Sequence, residues 1–232
     1  MEKDTMTHKA KAFIGCTALA GMAVLAAGLL HWESPNPARF AVFLLLGLLA
    51  SAMKVRLPGI TGTMSVSFLF ILIGVAECTL SETLAVGCLS VLVQSFWKAQ
   101  RRPSLVQVLF NVACHSLSIA AAYWAGRSVM DASGKQALPL MLAVAASIFF
   151  VANTGLVSGV LSLTGQKPLK SVWQHCLSCV LPYYMAGAAL AGLVIFTSRT
   201  IGWVPSLMAL PVMYLMYVYY RLYVERMPQE QS

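Results

Sequence analysis

The sequence predicts an all-α integral membrane protein, a polytopic bundle of about eight transmembrane helices with both termini in the cytoplasm. Of its 232 residues, 59% are hydrophobic and only 10% are charged, whereas soluble domains carry about 25% charged residues. Apolar runs recur along the whole chain, and several approach the ~20 residues that span a bilayer. Basic residues fall between these runs, a pattern typical of membrane topology.

Eight apolar segments are separated by charged or turn-forming residues. They are 12–30, 38–53, 63–78, 82–97, 105–126, 138–162, 173–197 and 204–223. The second, third and fourth are short for a hydrocarbon core of ~30 Å, so six or seven spans stay open if one of them is re-entrant. We therefore expect a cytoplasmic tail over 1–11, a transmembrane domain over 12–223 and a short cytoplasmic helix end over 224–232.

The distribution of Lys and Arg favours eight spans. With the N-terminus inside, the inner segments hold 12 basic residues and the outer loops hold four, which together account for all 16. The outer four are Arg39, Arg127, Lys135 and Arg199. This asymmetry is what the positive-inside rule predicts. Membrane topology thus accounts for the net charge of +8, which in a soluble protein would suggest nucleic-acid binding. We therefore expect the lipid bilayer as a partner and no nucleic acid.

The stretch "KVRLPGITGTMS" (54–65) contains two cations, a proline, two glycines and three hydroxyl side chains within twelve residues. We predict a cytoplasmic turn between the second and third helices, in which Thr61 or Thr63 caps the third helix by accepting from an unpaired N–H group. An alternative is that the free N–H groups beside Arg56 bind an anion.

Polar side chains on the fifth segment share one helical face. Gln107, Asn111, His115 and Ser118 are spaced at i, i+4, i+8 and i+11, and such a face avoids lipid. It could line a ligand pocket, or it could form hydrogen bonds between helices. The candidate ligand-binding residues, taken from the four segments that would meet there, are Gln94, Gln107, Asn111, His115, Asn153 and Tyr183.

Signatures of enzymes and metal sites are missing from the sequence. It contains no HExxH, GxSxG or P-loop motif. His175, Cys176 and Cys179 supply at most three ligands, whereas structural zinc takes four. We therefore predict no catalytic residue, no metal and no cofactor, and a protein that is not an enzyme. Ser81, followed by an acid, is expected to cap the fourth helix.

Three stretches carry a resemblance to a known family. They are "KVRLPGITGTMSVSFLFILIGVA" (54–76), "RRPSLVQVLFNVA" (101–113) and "MYLMYVYYRLYVER" (213–226). In these the chain resembles the N-terminal multi-helix membrane modules that precede HD-GYP phosphodiesterase or GGDEF cyclase domains in bacterial signalling proteins. The resemblance implies a multi-pass module of the bacterial inner membrane, in which the last helix leads into a cytoplasmic output domain. It supplies no site residues.

We therefore expect a membrane-embedded sensory module that binds a small neutral or apolar ligand or senses the bilayer, and that signals through its last helix. The sequence contains no output domain up to Ser232, so the expected recipient is a further domain or a partner protein in trans. The alternative is a small-solute transporter or its substrate-binding membrane subunit. The lack of charged residues at the centre of any span disfavours ion-coupled transport. Whether the chain forms a homodimer stays open.

Overall fold

The computed structural model describes residues 7–56, 63–97, 99, 102–134, 137–165, 168–201 and 209–226. Nearly all of these residues are helical. The elements are α1 (His8–Leu30), α2 (Pro37–Ala52), β1 (Lys54–Arg56), β2 (Thr63–Ser65), α3 (Phe68–Glu77), α4 (Leu80–Phe96), α5 (Leu105–Ser133), α6 (Leu138–Leu163), α7 (Leu169–Cys179), α8 (Leu181–Ile201) and α9 (Ala209–Arg226).

Within the described residues, four helices are long and apolar enough to cross a membrane. They are His8–Leu30, Leu105–Ser133, Leu138–Leu163 and Leu181–Thr200, while α2, α3 and α4 are shorter apolar helices. Large apolar side chains remain on the outside of the bundle, where Leu19, Phe196 and Leu215 are 76%, 63% and 65% exposed. The predicted all-α membrane architecture is therefore confirmed at this level.

Hydrogen bonds between helix termini hold one end of the bundle together. Glu77, the last residue of α3, accepts from Arg39 in the first turn of α2 and from Arg199 in the last turn of α8. The hydroxyl of Ser81, at the start of α4, donates to the carbonyl of Gly28 near the end of α1 at 2.7 Å. We call this the Glu77 end.

The opposite end, which we call the Thr7 end, joins the other helix termini. Thr7 Oγ1 donates to the carbonyl of Leu163 at the end of α6 at 3.4 Å. Lys54 Nζ donates to the carbonyl of Gln94 near the end of α4 at 3.0 Å. Helix α9 contacts β1 and so reaches this end as well. Successive helices thus run alternately between the two ends, with α7 and α8 together making one passage.

Helix α3 forms the centre of the bundle. All of its residues from Phe68 to Ala76 are buried, and it contacts α2, α4, α5, α6 and α8. Its ten residues cover about 15 Å, only about half of a ~30 Å hydrocarbon core. The segment directly before it does not extend this helix.

That segment is a two-stranded antiparallel ribbon of β1 and β2. The prediction of a helix from residue 63 was wrong here, because Thr63–Ser65 pairs with Lys54–Arg56. Thr63 therefore lies in a strand, and the N-cap position of α3 is Ser67, while Thr61 lies outside the described residues. Strand pairing satisfies backbone groups that lipid could not, so irregular backbone is tolerated where protein covers it.

The predicted segment 173–197 is interrupted in the structure. Helix α7 ends at Cys179, α8 begins at Leu181, and Val180 lies between them. Pro182 follows at the second position of α8, where its missing N–H and its ring prevent a continuous helix. Helix α5, in contrast, continues to Ser133, beyond its predicted end at residue 126.

Candidate functional site

An open groove of about 390 Å³ lies at the Glu77 end of the bundle. Its volume falls within the range of small-molecule sites, roughly 300–1,000 Å³. Charged and aromatic side chains from α2, α4, α5 and the α3–α4 connection form its wall. The lining residues are Pro35, Arg39, Glu77, Cys78, Thr79, Glu82, Tyr123, Trp124 and Arg127.

The carboxylate of Glu77 connects three helices at the edge of the groove. Its Oε1 accepts from Arg199 Nε at 2.9 Å and from Arg199 Nη2 at 2.6 Å. Its Oε2 accepts from Arg39 Nη1 at 3.2 Å, and the second terminal nitrogen of Arg39 donates to the Glu77 carbonyl. Two guanidinium groups therefore share one carboxylate and tie α2 and α8 to the end of α3.

The second carboxylate of the groove, Glu82, is held by uncharged donors. It is 2% exposed, and it accepts from Ser34 Oγ at 2.7 Å and from the backbone N–H of Thr79 at 3.0 Å. Thr79 Oγ1 in turn accepts from the Glu82 N–H, completing a capping box at the start of α4. The predicted cap, Ser81, instead donates its hydroxyl to α1.

Arg127 enters the groove from α5. Its Nη2 donates to the carbonyl of Cys78 at 2.9 Å, and Tyr123 Oη donates to the same carbonyl at 3.3 Å. The Arg127 guanidinium lies 5.1 Å from the centre of the Tyr123 ring, a cation–π arrangement.

None of the six sequence-predicted residues lines this groove, and four of them, Asn111, His115, Asn153 and Tyr183, lie nearer the middle of the bundle. Cys114 Sγ lies 3.3 Å from Asn153 Oδ1. Tyr184 packs on Phe68, with ring centres 4.2 Å apart. The predicted Tyr183 is buried next to Tyr184, with ring centres 6.3 Å apart.

His115 and Asn111 interact within their own helix. The Nδ1 atom of His115 lies 3.2 Å from the Asn111 carbonyl, and the His115 ring meets the edge of Phe149 with centres 5.8 Å apart. Both residues are half-buried. Their surroundings are those of polar groups packed between helices, which is one of the two interpretations that the sequence allows.

The two glutamines have structural contacts at the Thr7 end. Gln107 is exposed and its Oε1 accepts from the Ser104 N–H at 2.9 Å, forming the capping box of α5. Gln94 Oε1 accepts from Ser65 Oγ in β2 at 2.8 Å. Thus Gln94 connects α4 to the ribbon, and the two glutamines lie apart from the other four predicted residues.

Sequence reasoning missed the groove because its residues come from termini far apart in the chain. Arg39, Arg127 and Arg199 were counted only as outer charges. One signal in the sequence could have indicated the groove. The few charged residues predicted on the outer side have opposite signs, since they include three arginines and the two acids of "ECTLSE" (77–82). Charges of opposite sign at one end of a bundle are expected to pair.

Among the described side chains, no group of three His, Cys, Asp or Glu residues could hold a metal ion. The side chains of His175 and Cys179 lie outside the described residues. Comparison with protein-family models, with curated proteins and with solved structures finds no match.

Proposed function

We propose that the chain is a sensory module of a bacterial inner membrane, crossing the bilayer eight times with both termini in the cytoplasm. The alternating direction of the helices supports eight passages. The Thr7 end, which carries the larger number of basic residues, would be cytoplasmic, in agreement with the positive-inside rule. The groove at the Glu77 end would then face the outside.

Reporter fusions test this topology. A green fluorescent protein fused after Arg226 is expected to fluoresce, because it folds in the cytoplasm. An alkaline phosphatase inserted after Gly134 is expected to be active, because it folds only outside. An active phosphatase after Arg226, or an inactive one after Gly134, would contradict the topology.

The observation that carries the sensory proposal is the shared carboxylate of Glu77. It borders a groove of ligand size and bonds α8 through Arg199. A ligand that changes the contacts of Glu77 would therefore shift the balance between two packings of α8, and a ligand can shift such a balance only by binding one packing more tightly. The chain would bind its ligand and leave it chemically unchanged.

Helix α9 offers a route to the opposite end of the bundle. It follows α8 in the chain and contacts β1, while the ribbon is fixed to α4 through Lys54 and Gln94. A movement of α8 would thus reach the Thr7 end through α9. There it would act on an output domain of the HD-GYP or GGDEF kind or on a partner protein.

Hydrogen–deuterium exchange of the protein in lipid nanodiscs tests this coupling without a known ligand. Glu77→Gln removes the charge that holds Arg199 and is expected to change amide exchange not only at the end of α8 but also in the last turns of α9. Glu33→Gln is the matched control, since Glu33 is exposed at the same end. Unchanged exchange in the last turns of α9 would refute the sensory proposal.

The second candidate function is small-solute transport, by the chain alone or as the substrate-binding membrane subunit of a transporter. The interruption at Val180 between α7 and α8 favours it, because broken helices surround the substrate sites of many transporters. Uptake into proteoliposomes distinguishes the two candidates. Accumulation or exchange of a radiolabelled solute would favour the transporter, and a Pro182→Ala variant that repairs the helix should then alter the rate.

A further inference from the structure

We propose that the groove at the Glu77 end binds a small oxyanion, a carboxylate or a phosphate, through the guanidinium of Arg127. This inference rests on the proposed ligand-binding role of the groove and names the chemical class of the ligand. It replaces the neutral or apolar ligand that the sequence alone suggests.

The two carboxylates of the groove already accept hydrogen bonds from the protein. Each oxygen of Glu77 is bonded to an arginine, and each oxygen of Glu82 is bonded to a neutral donor. Neither carboxylate is therefore positioned to take up a ligand cation without losing a protein contact. The two carboxylates therefore stabilise the packing of the helix ends around the groove.

Arg127 differs from the other two arginines. Arg39 and Arg199 both pair with Glu77, whereas Arg127 forms no ion pair within the described residues. Its Nη2 bonds only a neutral carbonyl, and its Nε is buried with no hydrogen-bond partner in the described part of the chain. Because the buried Nε is closed to a ligand, an anion would bind the terminal nitrogens, and it would compensate the charge of a guanidinium that pairs with no carboxylate in the described part of the chain.

The charged residues that line the groove are balanced in number, since Arg39 and Arg127 are positive and Glu77 and Glu82 are negative. Arg199 adds a positive charge at Glu77, and Glu33 adds a negative charge beside Thr79. Because a guanidinium has five donors in a planar fork, it binds carboxylate and phosphate oxygens in pairs. An oxyanion would therefore bind Arg127, the arginine of the groove that pairs with no carboxylate in the described part of the chain.

Aromatic rings supply the apolar side of the site. The Trp124 side chain is 63% exposed at the groove, and its ring meets Tyr123 edge-on with centres 5.9 Å apart. Such rings bind the apolar body of an organic acid, and they equally suit the interfacial region of a lipid. The oxyanion could thus belong to a water-soluble acid or to a lipid headgroup.

Thermal unfolding of the protein in dodecyl maltoside and phosphate-free buffer tests the proposal. The probes are sodium benzoate, inorganic phosphate and phosphatidylglycerol in mixed micelles, each compared with sodium chloride at equal ionic strength. At least one probe is expected to raise the unfolding temperature with saturation. Stabilisation by benzoate or phosphate would assign the site to a soluble acid, and stabilisation by phosphatidylglycerol alone would assign it to a headgroup.

Two variants of Arg127 and one control locate the effect. Arg127→Gln is expected to weaken the apparent affinity at least ~10-fold, as for a lost charge-assisted hydrogen bond. Arg127→Lys keeps the charge but loses the planar fork, and is expected to weaken binding less; it decides the matter if Arg127→Gln does not fold. Arg102→Gln, an exposed arginine outside the helices on the Thr7 side, should bind as the wild type does.

Equal affinity in the wild type and the Arg127 variants would overturn the proposal, as would the failure of all three probes to stabilise the protein. A failure of the sensory proposal can be distinguished from a failure of the oxyanion site. If an oxyanion binds through Arg127 but Glu77→Gln leaves exchange in α9 unchanged, the site stands and the sensory proposal falls. If exchange in α9 changes but no oxyanion binds, the sensory proposal stands and the oxyanion site falls.

Discussion

Glu77 and Arg199 lie 122 residues apart in the chain, yet the carboxylate of Glu77 accepts two hydrogen bonds from the guanidinium of Arg199, at 2.9 Å and 2.6 Å. The pair joins the end of the buried central helix α3 to the end of α8. The Glu77 side chain is 18% exposed and that of Arg199 is 38% exposed. The contact is therefore intermediate between a solvent-exposed ion pair and a buried one.

The first prediction concerns the strength of this pair. Exposed ion pairs stabilise a protein by about 0.2–1 kcal/mol, and hydrogen bonds to charged groups contribute about 1.5–3 kcal/mol. We expect a coupling free energy of about 1 kcal/mol in a double-mutant cycle of Glu77→Gln and Arg199→Gln, measured by unfolding in mixed micelles with SDS. Additive single-mutant effects would show that the two side chains do not interact.

The second prediction concerns the capping box of α4. Thr79 Oγ1 accepts from the Glu82 N–H and donates to the Glu33 carbonyl. Thr79→Ala removes both bonds, and the loss of a helix N-cap typically costs about 1 kcal/mol of unfolding free energy. Thr79→Ser keeps the hydroxyl and should leave the unfolding free energy near the wild-type value. An equal loss in both variants would attribute the effect to the methyl group instead.

The third prediction concerns the close approach of α1 and α5. A Cβ atom at Gly21 would collide with the backbone of Ala113, whereas a Cβ atom at Gly15 on the same helix would meet nothing within 4 Å. In a bilayer, helices associate through such close packing. Gly21→Ala should lower the unfolding free energy by about 1–3 kcal/mol. Gly15→Ala should leave it unchanged or raise it by up to about 1 kcal/mol.

The unfolding free energies of both variants, measured in the same mixed micelles, check this prediction. A side chain in the way could rotate, but the backbone of Ala113 cannot move without shifting α5. Equal stability of Gly21→Ala and Gly15→Ala would therefore mean that α1 and α5 are farther apart than the structure places them.

The helical segments could be predicted from hydrophobicity, but the ribbon could not. Segment 63–78 is apolar throughout its second half, so its period resembles that of a short helix. The backbone partner of Ser65 is Lys54 in β1, and its hydroxyl bonds Gln94, 29 residues later. Each strand has only three residues, too few for the alternating pattern that identifies a strand, which is why the start of α3 was predicted five residues too early.

The candidate site, too, could be predicted only in part from the sequence. The spacing of Gln107, His115 and Ser118 correctly describes positions on one helix, but it does not identify their partners. Gln107 caps the helix, while His115 and Ser118 interact with carbonyls one turn earlier. The groove is formed by side chains from different helix termini, and only the folded chain brings them together.

The last prediction separates the groove from the polar face of α5. His115 contacts its own helix and Phe149, so His115→Leu should lower the unfolding free energy by about 1 kcal/mol or less. It should leave any stabilisation by benzoate, phosphate or phosphatidylglycerol unchanged, because His115 does not line the groove. His31→Leu, which removes an exposed imidazole at the Glu77 end, is the control for the loss of the ring. If His115→Leu abolished the stabilisation while His31→Leu and Arg127→Gln kept it, the ligand would bind in the middle of the bundle, at the face that the sequence predicted.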